Sequence, residues 1–405
     1  MRIALLSMME PIAAGHPQRR AFLTVGGRTI AQHQADAALA LGCEKVICLV
    51  RSMEPMLARV QHSVEALGAS FRTIASLADL GPLLTQGDEL LVFADGLLVE
   101  ADQVRSHVAG GPAVLVQPVE TGVPDGFERI DLNNASAGVL LLPGSIGEKL
   151  AALPADFDPI SALGRVGLQA GVPQRSIPVA ARAGSAWQLI TDEREAYAIE
   201  SDWITHRLGY DRHPSPSRMI ARMAALGFGS RMVQGDQTSR MLLLGCAALT
   251  LLAILAAWLG AGIAAFALIA VAWVLHESAT MLARVIGPPR GSSPRTRRFG
   301  LSQVCEVLVD AALLASMALF TATPERLGLV ELTFPPLVLL LVLRLVPRVT
   351  SGRMNSWTGD RALLAIVLLA LHLLDWLLPG IRLLIVLMLT ALLIPAITRS
   401  GLTRD

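Results

Sequence analysis

The sequence predicts an α/β domain with a mostly parallel sheet, followed by an all-α domain of six transmembrane helices. Three observations carry that prediction. Segments of strand and helix character alternate over residues 1–182. Six apolar stretches fill residues 241–398. The 405-residue chain is 53% hydrophobic and only 17% charged, with a mean hydropathy of +0.54, where soluble domains carry about 25% charged residues.

The first strand is expected in RIALLSM (2–8). A signal peptide would need a longer apolar core and a cleavage site, so the N-terminal half is expected to stay in the cytosol. A helix from Thr29 to Leu41 ends at Gly42, and KVICLV (45–50) is the next strand. A second helix from Glu54 to Leu67 ends at Gly68. ELLVFA (89–94), AVLVQPV (113–119) and AGVLLLP (137–143) read as strands, and SIGEKLAAL (145–153) as a helix. Strands alternating with helices of this length imply βαβ units. Ligands of such sheets bind beyond the carboxyl ends of the strands. Asp95 follows ELLVFA at that position. A carboxylate there suits a divalent cation beside phosphates, and an Asp-Gly pair equally suits a turn.

Residues 183–240 form a connector. DEREAYAIESDWITHRL (192–208) has helical spacing, and YDRHPSPSR (210–218) is rich in helix breakers. SRMIARMAALGFGSRM (217–232) sets Met, Ile and Leu against three arginines. It reads as an amphipathic helix at the membrane surface or as one packed on the soluble domain.

The expected spans are 241–259, 262–285, 301–322, 327–346, 362–378 and 381–398, with Pro379-Gly380 as the last turn. Each approaches the ~20 residues that cross the hydrocarbon core as a helix. Arginines flank one side: Arg231, Arg240, Arg290, Arg295, Arg297, Arg298, Arg348, Arg353, Arg361, Arg399 and Arg404. The positive-inside rule then places both termini in the cytoplasm of a bacterial-type inner membrane. Within the spans, ionisable residues are functional candidates: His276 and Glu277, then Arg284, then Glu306 and Asp310 on one helix face, with Arg344, His372 and Asp375 beyond. Snorkelling explains Arg344 and Arg284 as readily, and Glu306 and Asp310 could pair with Arg284 or His276 for structure alone. No inverted repeat points to a transporter. The four cysteines, Cys43, Cys48, Cys246 and Cys305, form no CxxC and read as small buried hydrophobes.

Two family resemblances follow from these residues. RAFLTVGGRTIAQHQADAALALGCEKVICLV (20–50), FADG (93–96) and SAGVLLLPGSIGEKLAAL (136–153) resemble the nucleotidyltransferases that make sugar and alcohol nucleotides. The resemblance implies a nucleotide site with Arg20 at the position of the catalytic lysine and Asp95 as the Mg2+ ligand. The glycine-rich phosphate loop of that family is replaced by SMMEPIAAGHPQRR, whose one glycine is Gly15. HESATMLAR (276–284), FG (299–300) and LSQVCEVLVD (301–310) resemble the signature of the six-span CDP-alcohol phosphatidyltransferases, DxxDGxxAR then GxxxDxxxD. Ala283-Arg284 and Phe299-Gly300 match. The four aspartate positions hold His276, Ala279, Val304 and Leu308, while Glu306 and Asp310 keep the spacing displaced by two.

Fusions of these two domains in this order make inositol-phosphate lipids. The resemblance therefore implies a degenerate transferase of phosphorus-containing groups in phospholipid or phospho-alcohol biosynthesis. Its site would comprise His276, Glu277, Arg284, Glu306 and Asp310, with Mg2+ on Asp95, Glu306 and Asp310. The implied partners are the bilayer, a nucleotide or CDP-alcohol, a lipid acceptor and a second copy of the chain, with no nucleic acid. The alternative is a membrane scaffold or binding protein that kept both folds and lost both chemistries.

Overall fold

The computed structural model describes residues 1–52, 54–150, 158–178, 187–208, 214–232, 236–286, 300–322, 329–349 and 353–400. The chain forms two compact units, the first over Met1–Arg207 and the second beginning at Leu208.

The first unit is an α/β sandwich around a seven-stranded sheet. β1 (Arg2–Ser7) is followed by a short ladder, β2 (Thr24–Val25) with β3 (Arg28–Thr29), closed by Gly26 and Gly27 at positive φ. α1 (Ile30–Ala40) begins with a capping box, in which the Thr29 hydroxyl and the Gln32 side chain each bond the other's backbone N–H. Such a box satisfies two of the N–H groups that a helix start leaves open. β4 (Lys45–Leu49), α2 (Pro55–Ala66) and β5 (Ser70–Ile74) complete two βαβ steps. β6 (Glu89–Phe93), β7 (Leu97–Val99), α3 (Ala101–Val108), β8 (Ala113–Pro118), α4 (Val119–Gly122) and β9 (Asn134–Pro143) follow. α5 (Gly147–Leu150), α6 (Pro159–Gln169), β10 (Gln174–Ser176), β11 (Trp187–Leu189) and α7 (Glu193–Leu208) end the unit.

The strand order is β10-β8-β9-β6-β1-β4-β5. β9 runs antiparallel to both neighbours, and the other pairs are parallel. Both faces are covered, which is why the central strands read as unbroken apolar runs rather than alternating ones. On β1, Ala4 and Leu6 pack with α1, α2 and α3 residues such as Ala35, Val60 and Val104. Ile3 and Leu5 face the opposite cluster with Leu163 and Val166 of α6. The chain lays β4 and β5 on one side of β1 and then returns to place β6 on the other. The order therefore reverses between β1 and β6. In open α/β sheets a crevice forms beyond the strand ends at such a reversal.

Two sequence expectations change here. The apolar run at 137–143 extends back to Asn134, because β9 is central and pairs along its whole length. The helix expected over 145–153 begins as a 3-10 turn at Gly144–Ile146 before α5, and its last residues lie outside the described ones. β5, SFRTI, carries polar residues because it is an edge strand with partial exposure.

The second unit is helical: α8 (Pro216–Met232), α9 (Asp236–Trp258), α10 (Gly262–Ile286), α11 (Leu301–Thr321), α12 (Leu329–Val349), α13 (Arg353–Thr358), α14 (Arg361–Leu373) and α15 (Leu377–Ser400). Among the described residues, three helices are long and apolar enough to cross a membrane: Thr238–Trp258, Gly262–Ala283 and Leu301–Thr321. Among the described residues, Thr333–Val346, Arg361–Leu373 and Leu377–Ala391 are shorter apolar helices. The core between them uses Phe266, Ala272, Trp273, Val309, Ala312, Leu339 and Ala365. Small residues at these contacts let helix backbones approach closely. Large apolar side chains such as Leu251, Leu255 and Val271 point outward instead.

The turn between the last two apolar segments is not at Pro379-Gly380. α14 stops at Leu373, and the chain reverses at Leu374–Trp376 with Asp375 at φ +54. Pro379 lies in the first turn of α15. A proline there removes an N–H that has no helical partner anyway. Asp375 consequently lies outside the helix that holds His372.

Candidate functional site

In the first unit the reversal point holds Asp95. β6 ends at Phe93, and the main chain turns through Asp95 and Gly96 before β7. Gly96 has φ +75, and a Cβ on it would lie 2.4 Å from Ile190 O and 3.3 Å from Arg20 Cβ. Only glycine fits that approach. The Gln34 amide of α1 holds the loop from beneath, donating to Ala94 O at 2.8 Å and Leu97 O at 2.9 Å.

The loop after β1 covers the aspartate. Asp95 Oδ2 accepts the Met9 N–H at 2.6 Å and the Glu10 N–H at 2.8 Å, with Ser7 Oγ at 3.4 Å. The loop then folds back on itself. Pro11 bridges to Arg19, Ile12 N donates to Gln18 O at 3.1 Å, and Arg19 Nη1 donates to Met9 O at 3.0 Å. Asp95 is 5% exposed. Among the described residues, its buried Oδ1 has no hydrogen-bond partner, and neither has the buried Nε of Arg20. Burial pushes the Asp95 carboxyl up to about 7, against the two backbone amides, which favour the charged form. The nearby Glu10 charge adds to the rise and Arg20 opposes it. The structure thus brings Arg20 and Asp95 into one locality.

The second unit holds the other predicted residues. Glu277 Oε2 is paired with Arg218 Nε of α8 at 3.3 Å. Asp310 Oδ2 lies 2.6 Å from Arg344 Nη2 and 2.8 Å from its Nε, and Oδ1 accepts from Arg361 Nε at 3.2 Å. Arg361 lies over the Trp273 ring, 5.6 Å from its centroid. Trp273 stacks on His276 with centroids 4.8 Å apart. His276 Nε2 is 3.1 Å from both the carbonyl and the hydroxyl of Ser302. Glu306 is half-buried and, among the described residues, has no ion-pair or hydrogen-bond partner. Arg284 lies in α10, with its side chain outside the described atoms.

Sequence reasoning missed several participants. Arg361 reads from sequence only as a flanking charge, and Asp360 is not singled out there. Asp360 is 2% exposed, caps α14 through the Ala362 and Leu363 amides, and accepts the Ser217 N–H at 2.9 Å. An aspartate just before an apolar run is a helix-start signature, so the cap was findable. The Met9 and Glu10 amides and Gln34 carry no sequence signal.

Mg2+ suits the two places differently. At Asp95 one carboxylate oxygen is unpartnered among the described residues, and Mg2+ needs only one or two carboxylates beside substrate phosphates. Asp95 could therefore serve as a single ligand. At Asp310 both oxygens face guanidinium groups, and a two-metal clamp needs several free carboxylates. Among the described residues no group of three His, Cys, Asp or Glu could hold a metal ion. The acids of the second unit do not fit a metal cluster.

No family model matches the chain, and no curated protein matches it. Among solved structures, a UDP-glucose pyrophosphorylase from Acinetobacter baumanii is similar over 50% of this chain and 93% of that one, at 12% identity and a TM-score of 0.38. A likeness that distant carries no argument about activity.

Proposed function

We propose that the chain is a membrane-bound, degenerate relative of the fused nucleotidyltransferase and CDP-alcohol phosphotransferase enzymes, acting in phospholipid or phospho-alcohol biosynthesis. The observation that carries this reading is the position of Asp95. It follows a central strand at the point where the strand order reverses, beside the β1 loop and Arg20. A nucleotide's phosphates belong at such a crevice. Asp95 would offer one oxygen to Mg2+, and Arg20 would face the phosphates. The helical unit would hold the protein in the inner membrane as a multi-pass anchor with both termini cytoplasmic.

A second reading is a non-catalytic membrane scaffold or binding protein. It draws support from Asp310 held between two arginines and Glu277 held by Arg218. Those pairs leave the CDP-alcohol chemistry without its metal ligands.

Titration calorimetry of the full chain with CTP or a CDP-alcohol, each with Mg2+, separates the readings. The first expects saturable, Mg2+-dependent heat with CTP that Asp95→Asn weakens about tenfold or more, an effect of about 1.4 kcal/mol. Absence of heat with every nucleotide and with the CDP-alcohol would leave the scaffold reading.

A further inference from the structure

A metal-ligand role for Asp95 does not account for how its carboxylate is held. Successive backbone N–H groups aimed at one point form a nest that binds anions. The Met9 and Glu10 amides make such a pair, with the Ser7 hydroxyl beside them, at the carboxyl end of β1. Arg20 stands nearby with its buried Nε unpartnered. Donors suited to a phosphoryl group are therefore gathered here, and the anion they hold is the chain's own side chain.

The fit is incomplete in an informative way. The two amides and the Ser7 hydroxyl all reach the same oxygen, Oδ2, so the carboxylate is held by one oxygen alone. Among the described residues Oδ1 has no partner, and neither has Nε of Arg20. A phosphoryl group has three oxygens and could reach the nest and Arg20 together. A carboxylate fixed to the main chain at position 95 reaches only the nest.

We propose that Asp95 is a built-in plug: the Ser7–Glu10 nest with Arg20 is a phosphoryl-binding site, and a phosphoryl ligand enters by displacing the Asp95 carboxylate. The class of ligand rests on the nucleotide reading above, whereas the plug itself rests on the hydrogen bonds. Mg2+ bound to Asp95 would draw the carboxylate off the amides, so metal and phosphoryl group would enter together. Without metal, the Asp95 charge repels the ligand from the site it occupies.

The plug makes an unusual prediction: removing Asp95 creates binding. The probe is inorganic pyrophosphate with EDTA present, titrated into the full chain in lipid nanodiscs. The unsubstituted protein is expected to show no measurable affinity. Asp95→Ser is expected to bind at least about tenfold tighter, because one unit charge at contact distance contributes more than 1.4 kcal/mol at the dielectric of a protein surface. Adding Arg20→Gln should remove most of that gain. Asp95→Asn keeps an oxygen for the amides and is the variant expected to fold without difficulty. It removes the charge but not the obstruction, so a gain smaller than that of Asp95→Ser is expected.

If neither folded variant gains affinity in EDTA, the plug is wrong. It is also wrong if the substitutions only abolish Mg2+-dependent CTP binding, since Asp95 is then a metal ligand and nothing more. Binding of Mg2+–CTP by the unsubstituted protein, with no gain in the variants, would sink the plug and spare the proposed function. A gain in the variants, with no CTP binding under any condition, would do the reverse.

Discussion

Each unit buries an aspartate at its centre, and the two are satisfied in opposite ways. Asp95 in the α/β unit is held by backbone amides and, among the described residues, leaves one oxygen unpartnered. Asp310 in the helical unit is held by two guanidinium groups, one on each oxygen. Amides carry no net charge, so burial dominates at Asp95 and raises its pKa. At Asp310 two guanidinium groups hold the single carboxylate by direct ion pairs. The first arrangement leaves capacity for a ligand, and the second uses that capacity for structure. The unit with fewer formal charges at its centre is therefore the better candidate for chemistry.

The comparison breaks most visibly if Asp310 loses an arginine. Arg361→Met leaves the carboxylate with Arg344 alone, whose side chain is 44% exposed, and removes the cation from the Trp273 face. Breaking a buried pair by removing one partner costs about 3–5 kcal/mol. Thermal unfolding in detergent should show that loss, and Asp310→Leu combined with Arg361→Met should recover much of it, because the pair is then replaced rather than broken. A single variant that melts like the parent would mean that Asp310 is not structurally committed.

A smaller effect should separate the units by pH. The folded pKa of Asp95 lies at about 7, above its ordinary value of 3.8. The folded α/β unit therefore binds a proton that the unfolded chain releases, so this group's contribution to stability is present in full below pH ~4 and is lost as pH rises through about 7. The loss has a ceiling of about 4 kcal/mol, at 1.36 kcal/mol per pH unit of separation. Urea-dependent proteolysis of the full chain, read on peptides from residues 1–207, should show the parent weakening between pH 5 and 8 relative to Asp95→Asn. Parallel curves for parent and variant would show that the amides overcome burial.

Much of the α/β unit was legible because its central strands and helices obey two different periodicities. Strands β1, β4, β6 and β8 fall where the apolar runs fall. β5 and β10 were not legible, since SFRTI and QRS carry edge-strand polarity and too few residues to pattern. In the helical unit, apolar length located α9, α10 and α11. The turn at Leu374–Trp376 was hidden because Pro379-Gly380 is the stronger breaker signal, and a proline in a helix's first turn breaks nothing. Site residues divide in the same way. Asp95 and Asp310 could be named from position and spacing. Their partners could not, because Met9 and Glu10 act through main-chain N–H groups, and Arg361 reaches Asp310 across 51 residues of sequence.

The smallest effects concern how each unit starts a helix. Thr29 caps α1, and its box partner Gln32 bonds back to the Thr29 amide. Thr29→Ala removes one acceptor but leaves that return bond, so a loss of about 1 kcal/mol is expected. Asp360 caps α14 through two amides and also takes the Ser217 amide, with the carboxylate almost wholly buried. Asp360→Ala strands three donors at once and should cost nearer 2 kcal/mol, the upper end for a cap. Proteolysis read on peptides of each unit gives both numbers from one preparation. Equal losses would mean that the Ser217 contact contributes little, and that α8 is held to α14 by other means. A clear excess at Asp360 would identify the carboxylate as a joint between those two helices. The helical unit would then use its acids as joints throughout, with Asp310 and Glu277 as the charged cases and Asp360 as the capped one.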